Sequence, residues 1–155
     1  MSDYTPVFLP GQAWTSTAVG AISGGDDLEV AGSGTVQKVA ASPSTKFVGV
    51  AGNDVSSGGR VTIYSAHVVH DGVAEGAITA GDQLTASAVV GKTVKTFTPT
   101  TVAAVTLPGT YDATVQTSIN AAITSINTAL TSSRGVVGVA LTTAADGATV
   151  RWIAR

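Results

Sequence analysis

The sequence predicts a mainly β protein: a barrel or sandwich built from an internally duplicated β unit, with one inserted α-helix at about 111–133. Three observations carry this. Gly20 to Leu28 reads GAISGGDDL and Gly76 to Leu84 reads GAITAGDQL, identical at six of nine positions with an offset of 56. A second pair follows in the same order, VGVA at Val48–Ala51 and again at Val137–Ala140. The offset there has grown to 89, so the second copy holds an insertion of 33 residues, most of it with helical periodicity. Two copies are too few for a solenoid, so the pattern implies two related β units that share a core or pack side by side.

The repeated phrase has a physical reading. Ala-Ile ends a strand, and Gly-Gly-Asp or Ala-Gly-Asp makes a tight turn, because Gly supplies positive φ and Asp bonds nearby backbone. Leu28 and Leu84 then re-enter the core. Gly58 and Val61 after the first VGVA match Gly147 and Val150 after the second.

In order, residues 1–16 read as an extended N-terminal arm. Pro6 and Pro10 bracket Val7, Phe8 and Leu9, and proline blocks pairing in a central strand. Tyr4, Pro6, Val7, Phe8, Leu9 and Pro10 are therefore the candidate contact segment, suited to docking on a partner or a neighbouring subunit. Folding back over the arm's own barrel is the other use of such a terminus.

Residues 17–155 read as a single β domain. Repeat one, about 17–70, has candidate strands at Ala18–Ile22, Leu28–Ala31, Thr35–Ala40, Phe47–Ala51 and Arg60–His67. Glycine, serine and proline turns separate them at the spacing of a barrel or sandwich. Val61 and Ile63 share one face, and Thr62 and Tyr64 the other. Repeat two, about 73–155, has Ala77–Ile78, Leu84–Val90, Thr93–Thr98, Val136–Leu141 and Ala148–Ala154. The insertion spans about 107–134. Within it Val115, Ile119, Ala122, Ile123, Ile126, Ala129 and Leu130 recur at three- and four-residue steps, one apolar stripe of a helix over Tyr111–Ser133. Thr110 or Asp112 is the candidate N-cap, and Arg134-Gly135 marks the end. The opposite face (Thr114, Thr117, Ser118, Asn120, Thr124, Asn127, Thr128) has no charge. Such a helix needs packing to hold it, either capping the barrel's open end or meeting a neighbouring subunit.

Composition narrows the function. Only 12% of the 155 residues are charged, about half the usual ~25%. Threonine occurs 23 times and lysine four times. Such a charge-poor, Thr-rich β chain implies an outer surface partly covered by neighbours. The net charge of −2 gives no basic footprint for nucleic acid. The absence of cysteine removes disulfides and thiolate metal sites. No apolar run reaches the ~18 residues of a membrane span, and Met1–Trp14 has no basic and apolar leader pattern. The expectation is a protein made in the cytoplasm, with no membrane or nucleic-acid partner.

No cofactor, metal site or catalytic constellation is expected. In HVVHD, strand geometry puts His67 and His70 on opposite faces, so they read as surface or interface polarity. Asp26, Asp54, Asp82 and Asp146 sit in turns, where carboxylates cap backbone N–H groups. No GxSxG elbow is present, and Gly24-Gly25 and Gly58-Gly59 lack the setting of a phosphate cradle.

The G-A-I-[ST]-x-G-D-x-L phrase and the V-G-V-A strands resemble the bacteriophage capsid decoration proteins, also called head decoration or cement proteins. Ala21, Ile22, Gly25 and Asp26 with Gly49, Val50 and Ala51 match the family pattern. So do Ala77, Ile78, Gly81 and Asp82 with Gly138, Val139 and Ala140. The helical insertion is a departure from it. The resemblance implies a small β-barrel or β-tulip and a structural virion protein rather than an enzyme. It implies a homotrimer on the outside of an icosahedral head, holding the major capsid protein lattice together. The alternative class is a carbohydrate- or receptor-binding β module of a head fibre or tail appendage, although eight aromatic residues are few for that task.

Overall fold

The computed structural model describes residues 13–99 and 113–155. The chain divides into two compact units, one of Met1–Phe97 with Gly135–Arg155 and one of Thr98–Arg134.

The first unit contains two closed five-stranded barrels. One is formed by β1 (Ala13–Ala18), β2 (Asp27–Gly32), β3 (Thr35–Lys38), β4 (Phe47–Ala51) and β5 (Arg60–Tyr64). The other is formed by β6 (Val69–Glu75), β7 (Gln83–Ala86), β8 (Val94–Thr96), β9 (Val136–Ala140) and β10 (Thr149–Ala154). The duplication is therefore two barrels, with the same connectivity. β1 pairs parallel with β3 and antiparallel with β5, as β6 does with β8 and β10. β2 lies between β3 and β4 as β7 lies between β8 and β9. Even the irregularities repeat, for the register slips between Leu28 and Glu29 against β4, and between Leu84 and Thr85 against β9.

The repeated phrases now have causes. Gly25 and Gly81 hold φ of +90 and +96, which only glycine adopts at no steric cost. Asp26 and Asp82 then close the turn, accepting from the N–H of Ser23 at 2.9 Å and of Thr79 at 2.8 Å. In V-G-V-A the glycine answers a close approach. A Cβ on Gly49 would lie 2.3 Å from the Tyr64 carbonyl oxygen, and one on Gly138 would lie 2.3 Å from that of Ile153.

Alternation places the cores. Val61 and Ile63 are buried on β5, and Val150, Trp152 and Ala154 on β10. Val39 and Val50 of the first copy join the apolar cluster of the second barrel, with Phe47 packed against it. The outer face of β4 is thus where the copies meet.

Several expectations change. Ala13–Ser16, read as the end of the arm, pair with β5 from Ala13↔Tyr64 onward. The strand forecast at Ala18–Ile22 ends at Ala18, and Ile22 keeps one bridge, to Val55, as Ile78 does to Ala144. β6 was not foreseen, because the residues it turns inward are His70, Gly72 and Ala74. A narrow barrel needs small groups there: a Cβ on Gly72 would lie 3.1 Å from the Trp152 indole nitrogen.

The second unit contains α1 (Ala113–Ser133). Its many hydroxyls are satisfied along the helix itself. Thr117, Ser118, Thr124, Ser125 and Thr128 each donate to the carbonyl four residues earlier, at 2.9–3.0 Å. The Thr110 and Asp112 cap candidates and Tyr111 lie outside the described residues.

Candidate functional site

The predicted contact segment, Tyr4, Pro6, Val7, Phe8, Leu9 and Pro10, lies outside the described residues. The structure does show its root. Trp14, on β1, is 43% exposed and donates its indole N–H to Ser65 Oγ at 2.8 Å. Among the aromatics, Trp152 is buried, Tyr64 is half-buried and Trp14 is exposed.

The HVVHD reading is corrected for one residue. His67 is exposed, but His70 is fully buried, its ring 5.2 Å from that of Trp152 at 38°. It is not surface polarity. Burial lowers its pKa to about 4, with Asp71 pulling the other way, so it is neutral near pH 7.

The four turn carboxylates hold the scaffold. Besides the bonds of Asp26 and Asp82, Asp54 accepts from the Gly24 N–H at 2.8 Å and Asp146 from the Gly76 N–H at 2.8 Å. That bond, reinforced by Lys92 at 3.1 Å, holds the Asp146 carboxyl below its ordinary range.

Where the copies meet, a groove of about 250 Å³ opens. Gly24, Gly25, Asp26 and Lys38 line it from the first copy, and Asp71, Val73, Lys92 and Thr93 from the second. A second depression, about 370 Å³, continues from Asp71 to Arg151, Thr142, Thr143 and Thr149. The charges in both are already committed. Lys38 pairs with Asp26 and Lys92 with Asp146. Arg151 grips Asp71 with two bonds of 2.9 and 3.0 Å, which raises the guanidinium pKa further. A carboxylate held by a fork of this kind is a poor general base. What remains is a neutral surface of threonine hydroxyls and glycine backbone, suited to hydrogen bonding with another protein or a polyol.

Two further carboxylates lie on β2. Glu29 is buried; burial alone would raise its pKa, but hydrogen bonds from Ser44, Gln37 and the Ala40 N–H outweigh that and lower it. Asp27 is 2% exposed and neither oxygen has a hydrogen-bond partner. Burial, then the neighbouring Asp26 charge, pushes its pKa well up, against the pull of Lys38. Its strand partner is Val50, at the junction of the copies.

No family model matches the sequence, and no curated protein matches it. A solved structure does. The chain is similar to the head fiber gp8.5 N base of bacteriophage phi29. The TM-score is 0.51 at 18% identity, and the likeness covers 93% of each chain. At that identity the comparison establishes the fold. It spans both barrels, so the paired-barrel architecture is shared.

The exposed apolar residues were not singled out in the sequence as contact residues. Val19 and Val30 on the first copy, and Val89, Val90 and Leu141 on the second, are 42–93% exposed. Sequence pattern could flag only the Val89-Val90 pair, which precedes a glycine turn with no inward alternation to follow.

Proposed function

We propose that the chain is a structural protein of a phage head, bound to the outer surface of the shell and stabilising the lattice of the major capsid protein. The observation that carries this reading is the likeness to a phage head-fibre base across 93% of both chains. The neutral, charge-paired surface and the exposed valines support it, since a protein held by many copies of a modest contact needs no single tight site. In this reading the arm, Tyr4 to Pro10, adds an extended segment to a capsid protein, and the working form is a homotrimer. The role asks for no cofactor and no catalysis.

A second reading, a glycan- or receptor-binding module, is favoured by the neighbour being part of a head fibre and by the threonine-lined depression beside Arg151. Sedimentation with shells lacking this protein separates the two. The full chain should pellet saturably with mature shells and not with procapsids, and removing residues 1–12 should weaken binding. Failure of the full chain to pellet with any shell, together with retention on immobilised glycans, would favour the second reading.

A further inference from the structure

We infer that α1 is the self-association element of this protein, and that it assembles with the same helix of two other copies as a parallel three-stranded coil. The inference rests on the homotrimer reading above and gives it a location.

Three large apolar side chains of α1 are exposed, Ile123 at 51%, Ile126 at 46% and Leu130 at 61%, and Ile119 is half-buried. With Ile119 they run at steps of four, three and four residues, the a/d spacing of a heptad seam. In that register Gln116, Ile123 and Leu130 hold the a positions, and Ile119, Ile126 and Ser133 the d positions. Isoleucine at d with isoleucine or leucine at a shifts preference from two strands to three or four. The helix is 21 residues long, three heptads, and its four central a/d positions are apolar.

The flanks fit a partner identical to itself. Val115, already buried within the chain, and the half-buried Ala122 and Ala129 take the g positions, and Asn120 and Asn127 the e positions. Seams usually carry charges there. Here Ala113–Ser133 has none, so identical helices in parallel meet no like-charge repulsion. A helix of this length is about 31 Å long and about 10 Å wide. Gln116 at an a position is a polar residue in the seam, the kind that fixes register.

The test uses the full chain without shells, so its outcome is separate from that of shell binding. Sedimentation equilibrium at micromolar concentration should give a trimer. Ile123→Asn with Ile126→Asn should raise the dissociation constant by about 100-fold or more, while Thr128→Asn on the far face leaves it unchanged. Circular dichroism reports whether the barrels stay folded. Because the chain lacks cysteine, single cysteines read the geometry independently: Leu130→Cys should give a disulfide-linked dimer under diamide, and Thr128→Cys should not. A monomer or dimer for the wild-type chain, a trimer that survives the double substitution, or equal crosslinking at both positions would overturn the inference.

Discussion

The two barrels share a backbone and differ in what fills it. Their turn bonds superpose one for one. Gly25 and Gly81 donate to Ala51 and Ala140 at 2.8 Å, and Gly58 and Gly147 to Ala18 and Ala74 at 2.8 and 2.9 Å. Where the first copy caps Gly24 with Asp54, the second caps Ala80 with Thr143. The interiors were refilled around this frame. Ile63 in the first barrel stands where Trp152 does in the second, and Ser16 where Gly72 does. Trp14, exposed, stands where buried His70 does. A large residue gained at one position is matched by a small one beside it, the exchange that close-packed cores tolerate. The outer faces differ for another reason. The first copy's β4 packs on the second barrel, so Asp27 is buried, while its counterpart Gln83 is exposed.

The sharpest way to break the comparison is at the shared glycines. Gly49→Ala sets a Cβ against a carbonyl in a backbone at φ +145 and should cost about 3–5 kcal/mol by urea unfolding. Gly138→Ala meets the corresponding carbonyl without the φ strain but sets its Cβ 2.5 Å from the Trp152 ring, and should also cost about 3–5 kcal/mol. Tolerance of alanine at either position would mean that the frames are not equivalent.

The refilled cores predict a coupling. Trp152→Ile installs the first barrel's residue and should cost about 3 kcal/mol through the cavity it leaves. Gly72→Ser, the first copy's residue there, should be destabilising alone, since its Cβ crowds the indole and Thr93. Together they should cost less than their sum by about 1–2 kcal/mol, and strict additivity would deny that the two positions share volume.

Acid should act through the second barrel. His70 has a folded pKa of about 4 against an unfolded value of about 6.5. Below pH 6.5 the unfolded chain takes up a proton that the folded chain refuses, so up to about 3 kcal/mol of stability is lost between those values, and none beyond. His70→Phe should flatten that part of the stability profile.

Asp27 has the opposite sign. Its folded pKa is raised, so its contribution is intact in acid and lost as pH rises above about 4. Asp27→Asn should therefore stabilise the protein at pH 7 by about 1–2 kcal/mol and change little at pH 3. Gln83→Asn should stay within about 0.5 kcal/mol at either pH.

Much of this fold was legible because it repeats. Glycine and aspartate in a turn state a local constraint, so GAISGGDDL and GAITAGDQL marked the frame without any knowledge of the core. The helix was legible from its stripe. β1 and β6 were not. In β1 the run Thr15-Ser16-Thr17 follows a proline-punctuated arm, and in β6 the inward face is His-Gly-Ala, so neither shows the apolar alternation of a strand. His70 looked like a surface residue because only the tertiary neighbour Trp152 makes it a core one. The groove was illegible for a related reason. Its walls come from turns some fifty residues apart, and one barrel or two would give the same hydrophobic pattern.

The head reading is tested most directly by cryo-electron microscopy of mature shells lacking this protein, imaged bare and after saturation with it. The account predicts difference density shaped as paired barrels on the outer surface, at three-fold positions, touching adjacent capsid subunits. Shells that saturate without gaining outer density, or that gain none at all, would contradict it.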